Sequence, residues 1–328
     1  MLPDLLHRHA ATRPGARPLL RAEDAAALIA LARGARGAQP AQIVGQRAAG
    51  DAAAVWRGRG LDYLESRAYQ PGDDLRDLHW RLLARTGRPF VKLHHEEHAP
   101  AWHVLLDLRA HMGFGTRLRT KAEQAARMTL LAGAVHALAA EGAAGAMALT
   151  LWRAPVQTVD LGRGLRAVRR LAQVLQQEAV APPAAQEDEA AQEPAAALAV
   201  WAQRLRRVLP EGSRVVCVTD GALWDASEID AALWALRSRA EVVMLLVQDP
   251  VERALPGVAA IDRARFVDLA QRQGGVLPDA AAARAAFAAQ AMQHRAALLS
   301  RWRSRGLTCI DAGVGRGDAE VLRALRGR

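Results

Sequence analysis

Residues 102–107 read Trp-His-Val-Leu-Leu-Asp, and residues 214–220 read Arg-Val-Val-Cys-Val-Thr-Asp. Each run is apolar without polar alternation, which is typical of a strand that is covered on both faces. Residues 241–247 form a third run of this kind. Because helix-forming stretches separate these runs, the pattern predicts a doubly wound, mostly parallel α/β sheet with helices on both faces.

Two of these strands end in an acid, Asp107 and Asp220. In open parallel sheets, ligands bind in the crevice at the carboxyl ends of the strands. The sequence therefore predicts a binding site at that edge. The loop after the first strand adds Arg109, His111 and Gly113, which complete the set of candidate binding residues.

The remainder of the chain extends the alternation of strands and helices. The predicted helices cover residues 121–140, 161–177, 198–208, 226–238, 280–305 and 318–325, and further strands cover 146–152 and 307–311. Residues 179–196, which contain Pro182-Pro183 and Glu187-Asp188-Glu189, are typical of an acidic linker or insert. We therefore predict an N-terminal extension over residues 1–98 and an α/β domain over residues 99–328.

The extension contains a strong turn signal, Pro71-Gly72-Asp73-Asp74. Asp74 is placed to cap a short helix that ends at Gly87. Within that helix, Trp80 shares its spacing with apolar neighbours, which predicts that its ring is buried.

The composition limits the classes of function. With 328 residues and 51% hydrophobic residues, the chain is long and apolar enough for a large α/β domain with a smaller addition. A net charge of +10 suggests a polyanionic partner. However, the basic residues are spread along the chain, which favours solvated helix faces, and 4% aromatic residues leave few rings for stacking bases. Nucleic-acid binding through an arginine-rich surface stays as an alternative.

Cysteine content and hydropathy indicate the cellular compartment. Cys217 and Cys309 lie in apolar, strand-like runs, where they are expected to be small buried side chains. The N-terminus lacks the apolar core of a signal peptide, and the longest apolar stretch, residues 128–149, is interrupted by His136 and Glu141. The sequence predicts a cytoplasmic protein without a membrane span.

Residues 69–81, residues 84–92 and Glu97 resemble the signature of a bacterial family, the domain of unknown function 58 family, and residues 105–115 continue the resemblance. The motif residues are Tyr69, Pro71, Gly72, Asp73, Asp74, Arg76, Trp80, Arg85 and Gly87. Members resemble von Willebrand A domains and are often encoded beside MoxR-type AAA+ ATPases. The resemblance implies a von Willebrand A-like fold and a non-enzymatic adaptor or partner of such an ATPase.

Von Willebrand A domains often bind a divalent cation at an Asp-x-Ser-x-Ser loop, where hydroxyls supply neutral oxygen ligands. Here residues 107–111 read Asp-Leu-Arg-Ala-His, so both serines are replaced. Asp220 matches the second acid, and Thr158 lies in the region of the threonine ligand. We predict a degenerate site in which the guanidinium of Arg109 takes the place of the cation. No cofactor is expected, and any divalent cation would be held by Asp107 and Asp220.

Two further clusters leave alternatives open. Residues 94–98 read His-His-Glu-Glu-His, and on a strand His94, Glu96 and His98 would share a face that suits zinc; a polar strand end is favoured. The group Asp73, Asp74, Asp77, Arg76, Arg81 and Arg85 is either a docking surface or a set of structural ion pairs. A metal-dependent hydrolase that uses Asp107, Asp220 and the histidines is the remaining alternative. No residue is predicted to act as a catalytic nucleophile, because the sequence has no recognisable nucleophile elbow.

Overall fold

The computed structural model describes residues 18–35, 63–71, 78–94, 100–116, 118–139, 145–179, 194–222, 224, 227–255, 265–267, 274–276 and 281–326. The chain divides into two compact units, Met1–Gly45 with Pro100–Arg328, and Gln46–Ala99. We predicted one extension over residues 1–98, whereas this division assigns residues 1–45 to the larger unit and 46–99 to the smaller one. Helix α1 (Ala22–Gly34) belongs to the larger unit, because Leu19, Leu20 and Leu28 are buried in the core of that unit.

The smaller unit contains the antiparallel strands β1 (Tyr63–Ala68) and β2 (Phe90–His94) and the helix α2 (Trp80–Thr86). The predicted cap, Asp74, lies outside the described residues; the observed cap is His79, whose Nδ1 accepts a hydrogen bond from the Leu82 backbone at 3.1 Å. Gly87 ends the helix as predicted, in the left-handed conformation with φ +67°.

The prediction that Trp80 is buried is wrong, since its side chain is 64% exposed. A helix of seven residues completes barely two turns. It therefore offers little face to bury, and none of its residues is fully buried.

The larger unit is built on a six-stranded sheet. Its strands are β3 (Trp102–Asp107), β4 (Ala146–Trp152), β5 (Gln157–Arg163), β6 (Ser213–Thr219), β7 (Ala240–Leu246) and β10 (Thr308–Asp311), while β8 (Arg265–Val267) and β9 (Gly274–Val276) form a separate antiparallel pair. The sheet order is β10-β7-β6-β3-β4-β5, and only β4 and β5 pair antiparallel. This order confirms the predicted doubly wound and mostly parallel α/β sheet.

Helices cover both faces of the sheet. They are α3 (Lys121–Ala139), α4 (Gly164–Gln177), α5 (Pro194–Val208), α6 (Ser227–Arg237), α7 (Ala281–Ser304) and α8 (Asp318–Leu325). Side chains of α1, α3, α4 and α8 form one core with Val104 and Leu106, and side chains of α5, α6 and α7 form a second core with Leu105. Because successive residues of β3 are buried on opposite faces, its sequence is apolar without alternation.

The strand β5 was not predicted. Its residues are mostly exposed at the edge of the sheet, so the sequence lacks an apolar run there. As a result the helix predicted from Leu161 begins only at Gly164.

The two cysteines are unpaired and lie in strands β6 and β10. Cys217 is fully buried, as predicted, whereas Cys309 is only partly buried. Within the residues that the structure describes, no helix has both the length and the apolar character needed to cross a bilayer.

Candidate functional site

The predicted acids meet at the centre of the sheet. Strands β3 and β6 are parallel neighbours, and the chain continues from β3 to β4 on one side and from β6 to β7 on the other. This reversal is the topological switch point, where open α/β sheets bind their ligands. Asp107 ends β3 and Asp220 follows β6. One ligand-type atom from each of Asp107, His111 and Asp220 lies within 4.8 Å of the others.

Asp107 is completely buried and is neutralised by Arg109. The guanidinium donates from Nε to Oδ1 at 2.9 Å and from Nη2 to Oδ2 at 2.6 Å. The backbone N–H of Arg109 donates to Oδ1 at 3.2 Å, and the hydroxyl of Thr219 donates to Oδ2 at 2.8 Å. The carboxylate thus accepts four hydrogen bonds, which uses its full lone-pair capacity.

Aromatic rings hold Arg109 in place. Its Cζ lies 3.7 Å from the ring centroid of Trp152, and its Nη2 also donates to the carbonyl of Ala222 at 3.1 Å. Trp152 packs edge to face on Trp224, which packs in turn on Trp302, with centroid separations of 5.6 and 6.2 Å. A guanidinium over an indole face is attracted by the ring. The Trp152 ring and the Asp107 carboxylate therefore favour the same orientation of the Arg109 side chain.

Lys121 supplies the second buried cation. It lies at the start of α3, is 2% exposed, and donates from Nζ to Asp220 Oδ2 and to Glu252 Oε1, both at 2.6 Å. Burial alone would lower the pKa of Lys121, but the two carboxylates raise it above its ordinary value. His111 Nε2 lies 3.2 Å from Asp220 Oδ1. Asp220, Lys121 and Glu252 together carry one net negative charge.

The loop that carries Glu252 is tied to the loop after β3. Asp249 accepts hydrogen bonds from the backbone and hydroxyl of Thr116 at 2.9 and 2.5 Å. Asp249 also caps the short 3-10 helix Pro250–Glu252, and its backbone N–H donates to Glu252 Oε2 at 2.9 Å. These bonds hold Glu252 within reach of Lys121.

The residues at the switch point do not fit the divalent cation that von Willebrand A domains often bind. Such a cation needs several oxygen ligands with free lone pairs. Asp107 has none to offer while Arg109 is bound to it. Oδ2 of Asp220 already accepts a hydrogen bond from Nζ of Lys121. A metal ion would therefore have to displace at least one buried ion pair.

The structure brings Asp107, Arg109, His111 and Asp220 together, and their binding role stays a prediction. Gly113 lies nearby, at the end of the 3-10 helix that contains His111. Thr158 is absent from this cluster, since its hydroxyl bonds Thr150 at 2.8 Å.

Sequence reasoning missed Thr219, Lys121 and Glu252 as members of the site. Thr219 directly precedes Asp220, and Lys121 is one of two lysines in the chain, the other being Lys92. These two signals were present in the sequence. Nothing local marks Glu252, because its partner Lys121 is 131 residues away.

The family motif belongs to the smaller unit. Tyr69 donates from its backbone N–H to the carbonyl of Pro89 at 3.0 Å, and Arg85 lies in α2 close to Gly87. Several predicted residues lie outside the described residues, namely Gly72, Asp73, Asp74, Arg76, Asp77 and His95 to His98. The zinc hypothesis for residues 94–98 and the role of the charge group therefore stay predictions.

Acid is expected to destabilise the fold through Asp220. Burial alone would raise the pKa of Asp220, but His111 and Lys121 outweigh burial and hold this pKa well below its usual value of 3.8. The unfolded chain therefore takes up a proton first as the pH falls below about 4. The stability that this group contributes is fully present above that pH and is lost as the pH falls towards the lower folded value.

Urea unfolding at pH 7, 5 and 3 measures this effect, with Lys121→Met as the comparison. Without Lys121 the pKa of Asp220 rises, so the variant should lose less stability between pH 5 and pH 3 than the parent protein does. Equal losses in the two proteins would contradict the assignment.

The chain is similar to uncharacterized proteins of two mycobacteria and to two solved structures. The chain is 29% identical over 297 residues to an uncharacterized protein of Mycobacterium tuberculosis and to one of Mycobacterium bovis, covering 85% of this chain and 83% of each relative. Two solved structures are similar at 13% identity. An aerotolerance-related membrane protein from Bacteroides fragilis has a TM-score of 0.41, covering 69% of this chain and 96% of that one. The conserved hypothetical protein BatB from Bacteroides thetaiotaomicron has a TM-score of 0.40, covering 69% and 95%.

The family model described as "Protein of unknown function DUF58" matches residues 65–297. That range includes part of the smaller unit, the strands β3 to β7 and most of α7. It also contains both acids of the switch point. The chain therefore belongs to the DUF58 family of proteins.

Proposed function

We propose that this chain is a non-enzymatic protein-interaction module that binds its partner at the carboxyl edge of the sheet. The binding face consists of Asp107, Arg109, His111, Gly113 and Asp220. One observation carries the proposal: the acids at the topological switch point are already paired with the chain's own cations, Arg109 and Lys121. In this form the edge is a degenerate metal-ion-dependent adhesion site, in which buried ion pairs fix the loop that carries the partly exposed His111.

The rival hypothesis of a metal-dependent hydrolase is less well supported by this geometry. Metal-assisted hydrolysis needs an ion with an open coordination position. To bind an ion at Asp107, the guanidinium of Arg109 would first have to move away. Removing it from Asp107 would leave a fully buried carboxylate without its partner, which is costly.

The partner we propose is a MoxR-type AAA+ ATPase or its client. Support comes from membership in the DUF58 family, whose members are often encoded beside such ATPases. The site also offers an accessible contact, since the side chain of His111 is 29% exposed above the buried charge pairs. The Nε2 atom of His111 faces Asp220 and is buried, so a partner would contact the other atoms of this ring.

Binding of the purified chain to a purified MoxR-type ATPase from the same organism tests the proposal. We expect Arg109→Ala, Asp220→Ala and His111→Ala each to weaken binding about tenfold or more, as truncation of a central interface residue does. His111→Ala keeps the Asp107–Arg109 and Lys121–Asp220 pairs but removes the contact of His111 with Asp220, so its stability is measured alongside binding. Asp160→Ala, on the exposed edge strand β5, is the matched control and should bind normally.

Circular dichroism and thermal unfolding establish that each variant is folded. Unchanged binding in all three folded site variants would contradict the binding face. Tight binding to duplex DNA that falls steeply with added salt would instead favour the nucleic-acid alternative.

A further inference from the structure

Three arginines converge on one carboxylate beside the candidate site. Asp311 ends the edge strand β10, and Arg253 donates two hydrogen bonds to its carboxylate at 2.7 and 3.1 Å. Arg295 of α7 and Arg316 of the loop before α8 each place an Nη2 atom 3.2 Å from Asp311 Oδ2. These three arginines come from three different elements, so the cluster is a product of the fold.

The cluster carries an excess of positive charge. Arg303 of α7 is close enough to add its field to that of Arg295. Among the described residues, the acids that pair with these arginines are Asp311 and Glu320, the latter bonded to Arg316. Counting described residues alone, four positive charges are therefore set against two negative ones. The pKa of Arg295 is lowered by its burial and then by Arg253, which is consistent with this crowding.

The cluster also has more hydrogen-bond donors than acceptors. Asp311 accepts bonds from Arg253, from Arg316 and from the backbone N–H of Gly313, and it contacts Arg295 as well. A carboxylate has room for about four such bonds, whereas each guanidinium has five N–H groups. Arg295 also donates to Gln248 Oε1 and Arg316 to Glu320 Oε1. Within the part of the chain that the structure describes, the buried Nε atom of Arg253 has no acceptor.

The arginines are nevertheless within reach of a ligand. The side chains of Arg253 and Arg316 are 34% and 43% exposed, and that of Arg295 is 19% exposed. Arg253 directly follows Glu252, the partner of Lys121. The arginine cluster and the candidate site thus lie along the same carboxyl edge of the sheet.

We infer that Arg253, Arg295 and Arg316 form an anion-binding subsite that accepts carboxylates from an acidic segment of the protein partner. This inference rests on the proposed function, since it names what the partner must carry. Guanidinium groups match carboxylates in geometry and bind them through paired, charge-assisted hydrogen bonds. Guanidinium groups bind phosphates in a similar geometry, and the peptide, inorganic phosphate and DNA arms of the test below separate these anions.

Fluorescence polarisation with a labelled hexaglutamate peptide tests the subsite at low salt, with a hexaglutamine peptide for comparison. We expect the protein to bind hexaglutamate and not hexaglutamine. Arg253→Gln and Arg316→Gln should each weaken hexaglutamate binding about tenfold, as loss of one charge-assisted hydrogen bond does. Arg169→Gln, on the exposed side of α4, removes the same charge elsewhere and should have no effect.

Several results would overturn the subsite. They are no binding of hexaglutamate, equal weakening by Arg169→Gln, and tighter binding of inorganic phosphate or duplex DNA than of hexaglutamate. The two substitutions expected to weaken binding lie on partly exposed side chains, and an unchanged thermal unfolding curve establishes that each variant is folded.

The ATPase-binding experiment separates the two proposals. If hexaglutamate binds as described but the ATPase does not, the subsite stands and the proposed ATPase partner is wrong. If the ATPase binds and His111→Ala weakens it, while hexaglutamate does not bind, the proposed function stands and the subsite is wrong.

Discussion

Replacing Asp107 by alanine is expected to lower the free energy of unfolding by about 3–5 kcal/mol, the cost of breaking a buried ion pair by removing one partner. Arg109 is only 8% exposed, so its guanidinium would remain buried without a counterion. Thr219 would lose the acceptor of its hydroxyl as well. Urea unfolding at neutral pH, followed by circular dichroism, measures the change.

A double substitution distinguishes this electrostatic cost from a loss of packing. Asp107→Leu combined with Arg109→Met removes both charges and fills a similar volume with apolar atoms. We expect it to be clearly more stable than Asp107→Ala, since replacing a whole buried pair is often close to neutral. Asp160→Ala removes one exposed hydrogen bond from the backbone of Gly162 and should cost only about 1 kcal/mol. Equal losses in the single and double variants would show that the unpaired charge is not the cause.

The second large effect is expected at Gly221, which follows Asp220. Its φ is +91°, a conformation that is unfavourable for residues with a side chain, and an added Cβ would lie 2.5 Å from Leu298 Cδ2. Leu298 is 5% exposed and packs in the same core as Trp302, so it has little room to move away. We expect Gly221→Ala to cost about 2–4 kcal/mol, from backbone strain and overpacking together.

Gly315→Ala is the matched control for Gly221→Ala. Gly315 has a φ of +100°, but an added Cβ would meet no atom within 4 Å. Its substitution should therefore cost only the backbone term, about 1–2 kcal/mol. Thermal and urea unfolding of both variants measure the difference. If Gly315→Ala is as destabilising as Gly221→Ala, the contact with Leu298 is not the cause of the loss of stability at Gly221.

The fold was predictable from the sequence where strands are buried on both faces. The runs that became β3, β6 and β7 are continuous and apolar because helices cover each side of them. The strand β5 was not predicted because it lies at the edge of the sheet, where Leu161 is its one buried residue. The wrong prediction for Trp80 has the same cause. Its helical spacing is typical of a core residue, but none of the residues of α2 is buried.

The site was predictable in part for a related reason. The convergence of Asp107 and Asp220 follows from topology, and the contact of Arg109 with Asp107 spans only two residues. By contrast, Lys121 reaches Asp220 across 99 residues and Glu252 across 131. Such contacts depend on how α3 and the loop after β7 are placed, which no local pattern in the sequence specifies. The pairing of α1 with the larger unit was missed for the same reason.

The long helix α7 is anchored to the rest of the protein very unevenly. Among its described side chains, only Leu298 and Trp302 are fully buried, and both lie in the last two turns of its 24 residues. Amide protons in the first half are thus expected to exchange with solvent through local opening, while those near Trp302 exchange only when the sheet itself opens. Arg295 lies near the boundary between the two halves, so a ligand held there would slow exchange in the weakly anchored half.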